Sequence, residues 1–263
     1  MFASRNTPDN NAHSSGVLSV VIPVYNEKRT LRQVVTKLLE LPQVVEVVIV
    51  DDCSTDGTDE VSQQLAATDR RVQVVRHATN RGKTEALKTG FALTRGEIVI
   101  VQDADLEYDP EDIPNLIQPI IDGYADVVYG SRFLVRRAAR VLYYYHYVAN
   151  RWLTTLSNVF TNLNMTDVET GYKAFRGEII RNMIIQSHGF GFEIEVTAKV
   201  AKLRCAIYEV PINYYGRTYE EGKKIGFSDG LMAVWLVFRF NLFCSRRRAF
   251  RQEPELNRAI APG

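Results

Sequence analysis

Cysteine is scarce in this chain of 263 residues: Cys53, Cys205 and Cys244 are the three, odd in number and without a CxxC pair. That excludes a disulfide framework and a zinc site of the usual spacing, and it fits a reducing cytosol. Excess charge is lacking too. With a net charge of +1, nothing global draws the chain to nucleic acid, so any basic region that matters is local, and it lies late in the sequence. No apolar run approaches the roughly 20 residues that span a bilayer. Residues 1–16 are rich in Asn, Ser, Thr and Asp and have no apolar core, so they read as a disordered tail and not as a signal peptide or anchor. Internal repeats are absent.

Apolar residues make up 46% of the chain, enough for one large α/β core. Short β-branched runs at 18–22, 44–50 and 72–75 have the character of strands buried on both faces of a parallel sheet. Between them, residues 27–41 and 58–67 space their apolar side chains as helices do, with Asp56 capping the second. Strands at 98–101 and 126–129 follow helices at 84–93 and 110–121, and Pro110 suits a first helical turn. The alternation predicts an α/β, Rossmann-like, doubly wound and mostly parallel sheet. From Arg136 onward long helical segments with aromatic clusters take over, followed by a strand at 206–210.

Open sheets of this kind bind ligands outside the carboxyl ends of their strands. The residues there are Pro23 to Glu27, Asp51 and Asp52, Asp103 to Asp105, and Gly130 to Arg132, so carboxylates and an arginine collect on one edge. In extended geometry Asp103 and Asp105, two positions apart, can point to the same side. Such a pair suits Mg2+ or Mn2+, which take oxygen ligands from one or two carboxylates and complete their shell with diphosphate oxygens and water. Glu107 is a candidate third ligand. A bare D-x-D equally describes a solvated acidic turn before Pro110, and the strand-end position decides for the metal. Asp52 can accept hydrogen bonds from the N–H edge of a nucleobase. Asn80-Arg81-Gly82-Lys83 sets two cations beside a glycine ahead of a helix, as a diphosphate site requires.

Taken in order, SVVIPVYNE (19–27), VDDCSTDGT (50–58), NRGK (80–83), QDADLEYDP (102–110) and YGSRF (129–133) resemble family 2 glycosyltransferases of GT-A fold. DVETGYKAFR (167–176), GFGFEIEV (189–196) and VPINYYGRTYEEGKKI (210–225) are similar to the branch that makes polyprenyl- or dolichol-phosphate mannose and glucose. The resemblance implies an inverting, metal-dependent hexosyltransferase acting on a nucleotide sugar and a polyprenyl phosphate, with mannose from GDP-mannose placed ahead of glucose from UDP-glucose. It implies donor contacts at Pro23, Tyr25, Glu27, Asp52, Lys83 and Asp103, and metal binding at Asp103, Asp105 and Glu107, where much of the branch has glutamine. Arg132 and Arg217 match its phosphate-binding arginines and, with the carboxylate pair, form the implied catalytic set. Lys223 and Lys224 add to the acceptor-phosphate site, and Arg151 is its candidate in the helix after GSRF. Cys53 fills a slot that usually holds glycine or asparagine and reads as a buried structural thiol. Glu193 and Glu195 imitate a glycosidase pair but read as solvated or packing residues. A phosphate acceptor is already anionic near neutrality, so no general base is expected.

A lipid acceptor implies a membrane. Residues 231–243 are polar only at Arg239 and Asn241, with Arg246, Arg247 and Arg248 close behind, which describes an interfacial helix or one packed on the catalytic domain. Tyrosine-rich residues 141–152, preceded by Arg136, Arg137 and Arg140, either line an isoprenoid groove or pack. The expected organisation is a catalytic domain over 17–230, the helix with its basic flank over 231–250 and a tail over 251–263. Its expected place is the cytoplasmic face of a membrane, held peripherally or through a membrane-protein partner. Two other readings compete. A glycosyltransferase acting on a sugar hydroxyl would need a carboxylate base near Asp167, Glu169, Glu193 or Glu195, and a nucleotide-sugar sensor would need no catalysis at all.

Overall fold

Four of the apolar runs become strands with little change at their ends: β1 (Leu18–Val24), β2 (Val44–Asp51), β3 (Val72–Arg76) and β4 (Ile98–Val101). The computed structural model describes residues 16–134, 143–189, 191–216, 227–254 and 256, excluding the side chains of 227–229. Within them β5 (Val127–Ser131), β6 (Lys173–Arg176) and β7 (Ile207–Pro211) complete a seven-stranded sheet in the order β3-β2-β1-β4-β6-β5-β7. Every pairing is parallel except those of β6, which runs antiparallel to both β4 and β5. The sequence reading missed β6. Its four residues, KAFR, include two cations and carry no apolar run, and only the gap between β4 and β5 makes them a strand.

Helices α1 (Leu31–Glu40), α2 (Thr58–Thr68), α3 (Lys83–Leu93), α4 (Ile113–Ile121), α5 (Tyr144–Thr161), α6 (Gly177–Asn182), α7 (Phe192–Leu203), α8 (Phe227–Leu242) and α9 (Arg246–Ala249) surround the sheet. The predicted start at residue 27 fails because 28–30 form a turn ahead of α1. Pro110 instead lies in a short 3-10 turn, where the Asp109 side chain caps Glu111 ahead of α4.

Alternating side chains divide the interior into two cores. Val20 and Ile22 of β1 with Ile98 and Ile100 of β4 pack under α1 and α4, whereas Val21, Val99 and Val101 face the core shared with α3, α7 and α8. Each such side chain, fully buried, contributes about 1.5–3 kcal/mol. Ala233, Leu236, Val237 and Phe240 of α8 lie in the second core, so the inner face of the expected appendage is integral to the packing. Its outer face is exposed.

The chain runs outward from β1 through β2 and β3, then returns to place β4 on the other side of β1. That reversal opens a crevice at the carboxyl ends of β1 and β4. Pairing between these strands stops at Val21, two residues before Pro23, which has no N–H to give a ladder.

Candidate active site

Two loops past β1 and β2 are stitched together at the crevice. Asn26 turns the chain with a φ of +57°, which asparagine tolerates. Its Oδ1 accepts the Thr55 N–H at 2.8 Å, its own N–H donates to Ser54 Oγ at 3.0 Å, and the Glu27 N–H donates to Thr58 Oγ1 at 3.0 Å. Tyr25 stands exposed beside them. Asp56 Oδ1 accepts both the N–H and the hydroxyl of Thr58, although Gly57 holds the cap position itself.

Asp52 does something the sequence does not announce. Its nearly buried carboxylate accepts the N–H groups of Arg81 at 2.9 Å and Gly82 at 2.6 Å, and meets His77 Nδ1 at 2.7 Å. His77 Nε2 in turn lies 3.0 Å from Thr89 Oγ1. Asp52 therefore holds the Asn80–Lys83 loop in place, and His77, a lone histidine with no spacing signal, orients it. The thiol of Cys53 is half-buried, not buried as expected, and lies 3.6 Å from the Ala78 carbonyl. The residue has a φ of +66°, the physical reason glycine or asparagine suits this slot.

Lys83 opens α3 and places its ammonium 2.9 Å from Asp103 Oδ1 and 3.6 Å from Glu193 Oε1. Burial disfavours the charged amine, but Asp103 and Glu193 outweigh it and hold the pKa above its ordinary value. The carboxylate pair is presented by a turn, not by the extended strand of the sequence reading. Leu106 has a φ of +63°, and the Glu107 N–H donates to Asp105 Oδ1 at 3.0 Å. Glu107 is drawn elsewhere: its carboxylate accepts the Tyr214 hydroxyl at 2.8 Å and its carbonyl the Tyr215 N–H at 2.8 Å. Among the described residues no three ligating side chains are gathered as a metal cage. Asp103, paired with Lys83, and Asp105 still offer hard carboxylate oxygens just past β4 that fit a small divalent ion taking the rest of its shell from diphosphate and water. Gly171 lies against Asp103, since a Cβ there would fall 2.8 Å from Asp103 Oδ2 and 3.1 Å from the Tyr108 ring.

Across Tyr108 lies Arg132, just past β5. It donates to Asp167 from its backbone N–H at 3.1 Å and from Nε and Nη2 at 2.7 Å each, a fork that uses two of its five guanidinium donors. Burial raises the pKa of Asp167, but the Arg132 charge and hydrogen bonds outweigh it and hold the carboxyl below its ordinary range. The guanidinium stacks 5.1 Å from the centre of the Tyr214 ring, which packs on Tyr108 at 5.2 Å. Burial pushes the Tyr108 phenol up to about 12, so it stays protonated, and its oxygen accepts the Gly171 N–H at 2.8 Å. Asn150 of α5 donates to Asp167 at 3.3 Å, whereas the neighbouring Arg151 is exposed. Arg217, Lys223 and Lys224, like Arg136, Arg137 and Arg140, lie outside the described residues.

Glu193 and Glu195 are both buried, which removes the solvated alternative. Glu195 pairs with Lys199 and accepts the N–H groups of Gln186 at 2.8 Å and Ser187 at 2.6 Å. That carboxylate serves packing.

A family model described as Glycosyl transferase family 2 matches residues 19–184. An undecaprenyl-phosphate mannosyltransferase of Micrococcus luteus is 34% identical over 213 residues, covering 78% of this chain and 86% of the relative. A polyprenol monophosphomannose synthase of Mycolicibacterium smegmatis is 30% identical over 214 residues, covering 79% of this chain and 80% of its own. Among solved structures, glucosyl-3-phosphoglycerate synthase from Mycobacterium tuberculosis has a TM-score of 0.67 at 22% identity, with 86% of this chain and 81% of that one covered. The last likeness speaks for the fold.

Proposed function

Because this chain belongs to glycosyl transferase family 2 and is a glycosyltransferase, we propose that it moves mannose from GDP-mannose to the phosphate of a polyprenyl phosphate, inverting the anomeric centre. The observation that carries this reading is both kinds of charge gathered around Tyr108: Gly171 lies against its ring and the Asp103 carboxylate, while the Arg132 guanidinium stacks on Tyr214, which packs on Tyr108. Two relatives whose names specify mannose and a polyprenyl phosphate or polyprenol support the sugar and the acceptor.

Asp103 and Asp105 would hold Mg2+ or Mn2+, which when bound neutralises charge on the departing diphosphate. Lys83 and the start of α3 add positive charge on the same side. Pro23, Tyr25 and Glu27 frame the nucleoside end, and Asp52 serves it through the loop that it fixes. Glu107 adjusts the metal site through Tyr214. On the other side the Arg132 edge that Asp167 leaves available receives the acceptor phosphate, joined by Arg217, Lys223 and Lys224 and, at the rim, Arg151. A phosphate monoester attacks without help from a base, so orientation and charge stabilisation do the catalysis.

The test is nucleotide release from GDP-mannose, GDP-glucose and UDP-glucose, with Mn2+ or Mg2+, with and without a short polyprenyl phosphate. GDP release from GDP-mannose should rise about tenfold or more when the lipid phosphate is added. Release indifferent to the lipid phosphate would sink the proposal, and stimulation by a sugar hydroxyl instead would establish the polysaccharide alternative.

The acceptor would be met at a membrane surface. No helix among the described residues is long and apolar enough to cross a bilayer. Helices α5 and α8 pack together through Phe160 and Phe238 and expose Tyr145, Trp152, Leu231 and Trp235 together with Arg151 and Arg239, and Phe243 and Arg246 to Arg248 are exposed just beyond α8. Aromatic rings flanked by arginines suit an anionic leaflet, at about 1 kcal/mol per basic residue. Replacing Arg246, Arg247 and Arg248 by glutamine should weaken flotation with anionic vesicles by about a hundredfold, while replacing Trp235 by serine weakens binding to neutral ones as well. Unchanged flotation in both variants would favour attachment through a membrane protein.

A further inference from the structure

The segment from Asp167 to Tyr172 is immobilised almost throughout. Asp167 is locked to Arg132, and Gly171 donates to Tyr108 while lying against Asp103. The Val168 N–H donates to Thr154 Oγ1 at 3.2 Å. Beneath the turn the fully buried ammonium of Lys173 donates to the carbonyls of Val168 and Thr170. Of these six residues only Glu169 reaches solvent. Its position is defined by its neighbours, two residues after the partner of the acceptor-side arginine and two before the glycine that touches the donor-side carboxylate.

Glu169 is also chemically unfinished. Its Oε1 is shielded from water and takes no hydrogen bond from the described residues. Buried acceptors in folded proteins are normally satisfied, so an orphan in the turn between the partner of Arg132 and the glycine against Asp103 points to a partner that arrives with a ligand. Burial and the nearby Glu193 push its carboxyl up to about 7, so it can accept or donate a hydrogen bond near neutrality. The group placed between a leaving diphosphate and an incoming phosphate is the sugar being transferred.

We infer that Glu169 reads that sugar: its side chain hydrogen-bonds a hydroxyl of the donor hexose and so helps to set which hexose is accepted. This rests on the glycosyl-transfer reading but not on the identity of the acceptor. A hydroxyl aimed at Oε1 satisfies the orphan, and a hexose that differs in the orientation of that hydroxyl leaves it unsatisfied, which is how a buried polar group discriminates between epimers.

The full chain tests this by calorimetry with Mn2+, comparing the best-bound nucleotide sugar of the wild type with its own nucleoside diphosphate. Glu169→Gln and Glu169→Ala should bind the nucleoside diphosphate within about twofold of wild type, and Glu169→Ala should lose about tenfold in affinity for the nucleotide sugar. In transfer assays the preference between GDP-mannose and GDP-glucose should narrow in both variants. Equal losses for diphosphate and nucleotide sugar would make Glu169 a support for the loop and overturn the inference. So would a fall in kcat with unchanged nucleotide-sugar affinity and preference, the signature of a general base, or no change in either variant. The binding arm contains no acceptor, so it stands even if the lipid phosphate proves to be wrong.

Discussion

Replacing Asp105 with alanine should reduce metal-dependent transfer by about a thousandfold or more while leaving the fold intact. Asp105 has a structural duty and a chemical one, and the two are measured separately. Structurally it accepts the Glu107 N–H in a turn, a bond with a net contribution of about 0.5–1.5 kcal/mol. In a chain of this size that lowers the melting temperature by about 2–4 °C. Chemically it is one of the two carboxylates just past β4 that would hold the ion, and Glu107, the candidate third, accepts the Tyr214 hydroxyl. A site with two protein ligands has little reserve, so losing one removes the ion along with its hold on the diphosphate. The measurements are sugar transfer across a Mn2+ titration and a melting curve. Wild-type activity that returns with Mn2+ after chelation, beside a variant that never recovers, is the expected pair of results. Full activity in the variant at saturating metal would overturn the assignment.

The second large effect concerns stability. Asp167→Asn should cost about 3 kcal/mol, because it leaves the Arg132 guanidinium, its side chain only 13% exposed, without a counter-charge. The corresponding fall in melting temperature is about 10 °C. Asp167→Asn combined with Arg132→Ala should recover part of that loss, since no charge is then stranded. The same pair predicts a pH dependence. The folded carboxyl titrates below its ordinary value, so its stabilisation is fully present above the unfolded pKa of about 3.9 and disappears as the pH falls through the lower folded value. Urea midpoints of the wild type should therefore decline more steeply below about pH 4 than those of the double variant. Parallel acid limbs would mean that Asp167 is not held ionised by Arg132. Activity distinguishes a further role: Arg132→Lys keeps a charge but not the fork, and KM for the polyprenyl phosphate should rise while the nucleotide-sugar KM holds.

Much of the candidate site was legible before any fold was known, because motif residues fall where strands end. Lys83 reaches Asp103, and Asp103, Asp105 and Arg132 stand just past the ends of β4 and β5. Three residues have surroundings that the sequence does not announce, for one reason. Asp52 looked like a free acceptor for a base, yet its oxygens are given to a loop about 30 residues away. Glu107 looked like a ligand two positions beyond Asp105, yet a left-handed turn at Leu106 sends it to Tyr214. The helix after GSRF turns Asn150 toward Asp167, while Arg151 beside it is exposed.

The sequence by itself determined the local architecture: strand and helix identities, the parallel β1 to β4 unit, and which carboxylates and cations stand at strand ends. Those follow from side-chain periodicity and turn chemistry within a few residues of each position. Only the tertiary structure decided the partners. Arg132 finds Asp167 at a separation of 35 residues, and Glu107 finds Tyr214 at 107. Sheet order and the insertion of antiparallel β6 bring those pairs together, and neither leaves a mark in local periodicity. The same holds for Glu169, an ordinary acidic residue in sequence, which becomes a candidate sugar contact because its neighbours are buried on both sides while its own oxygen is left waiting.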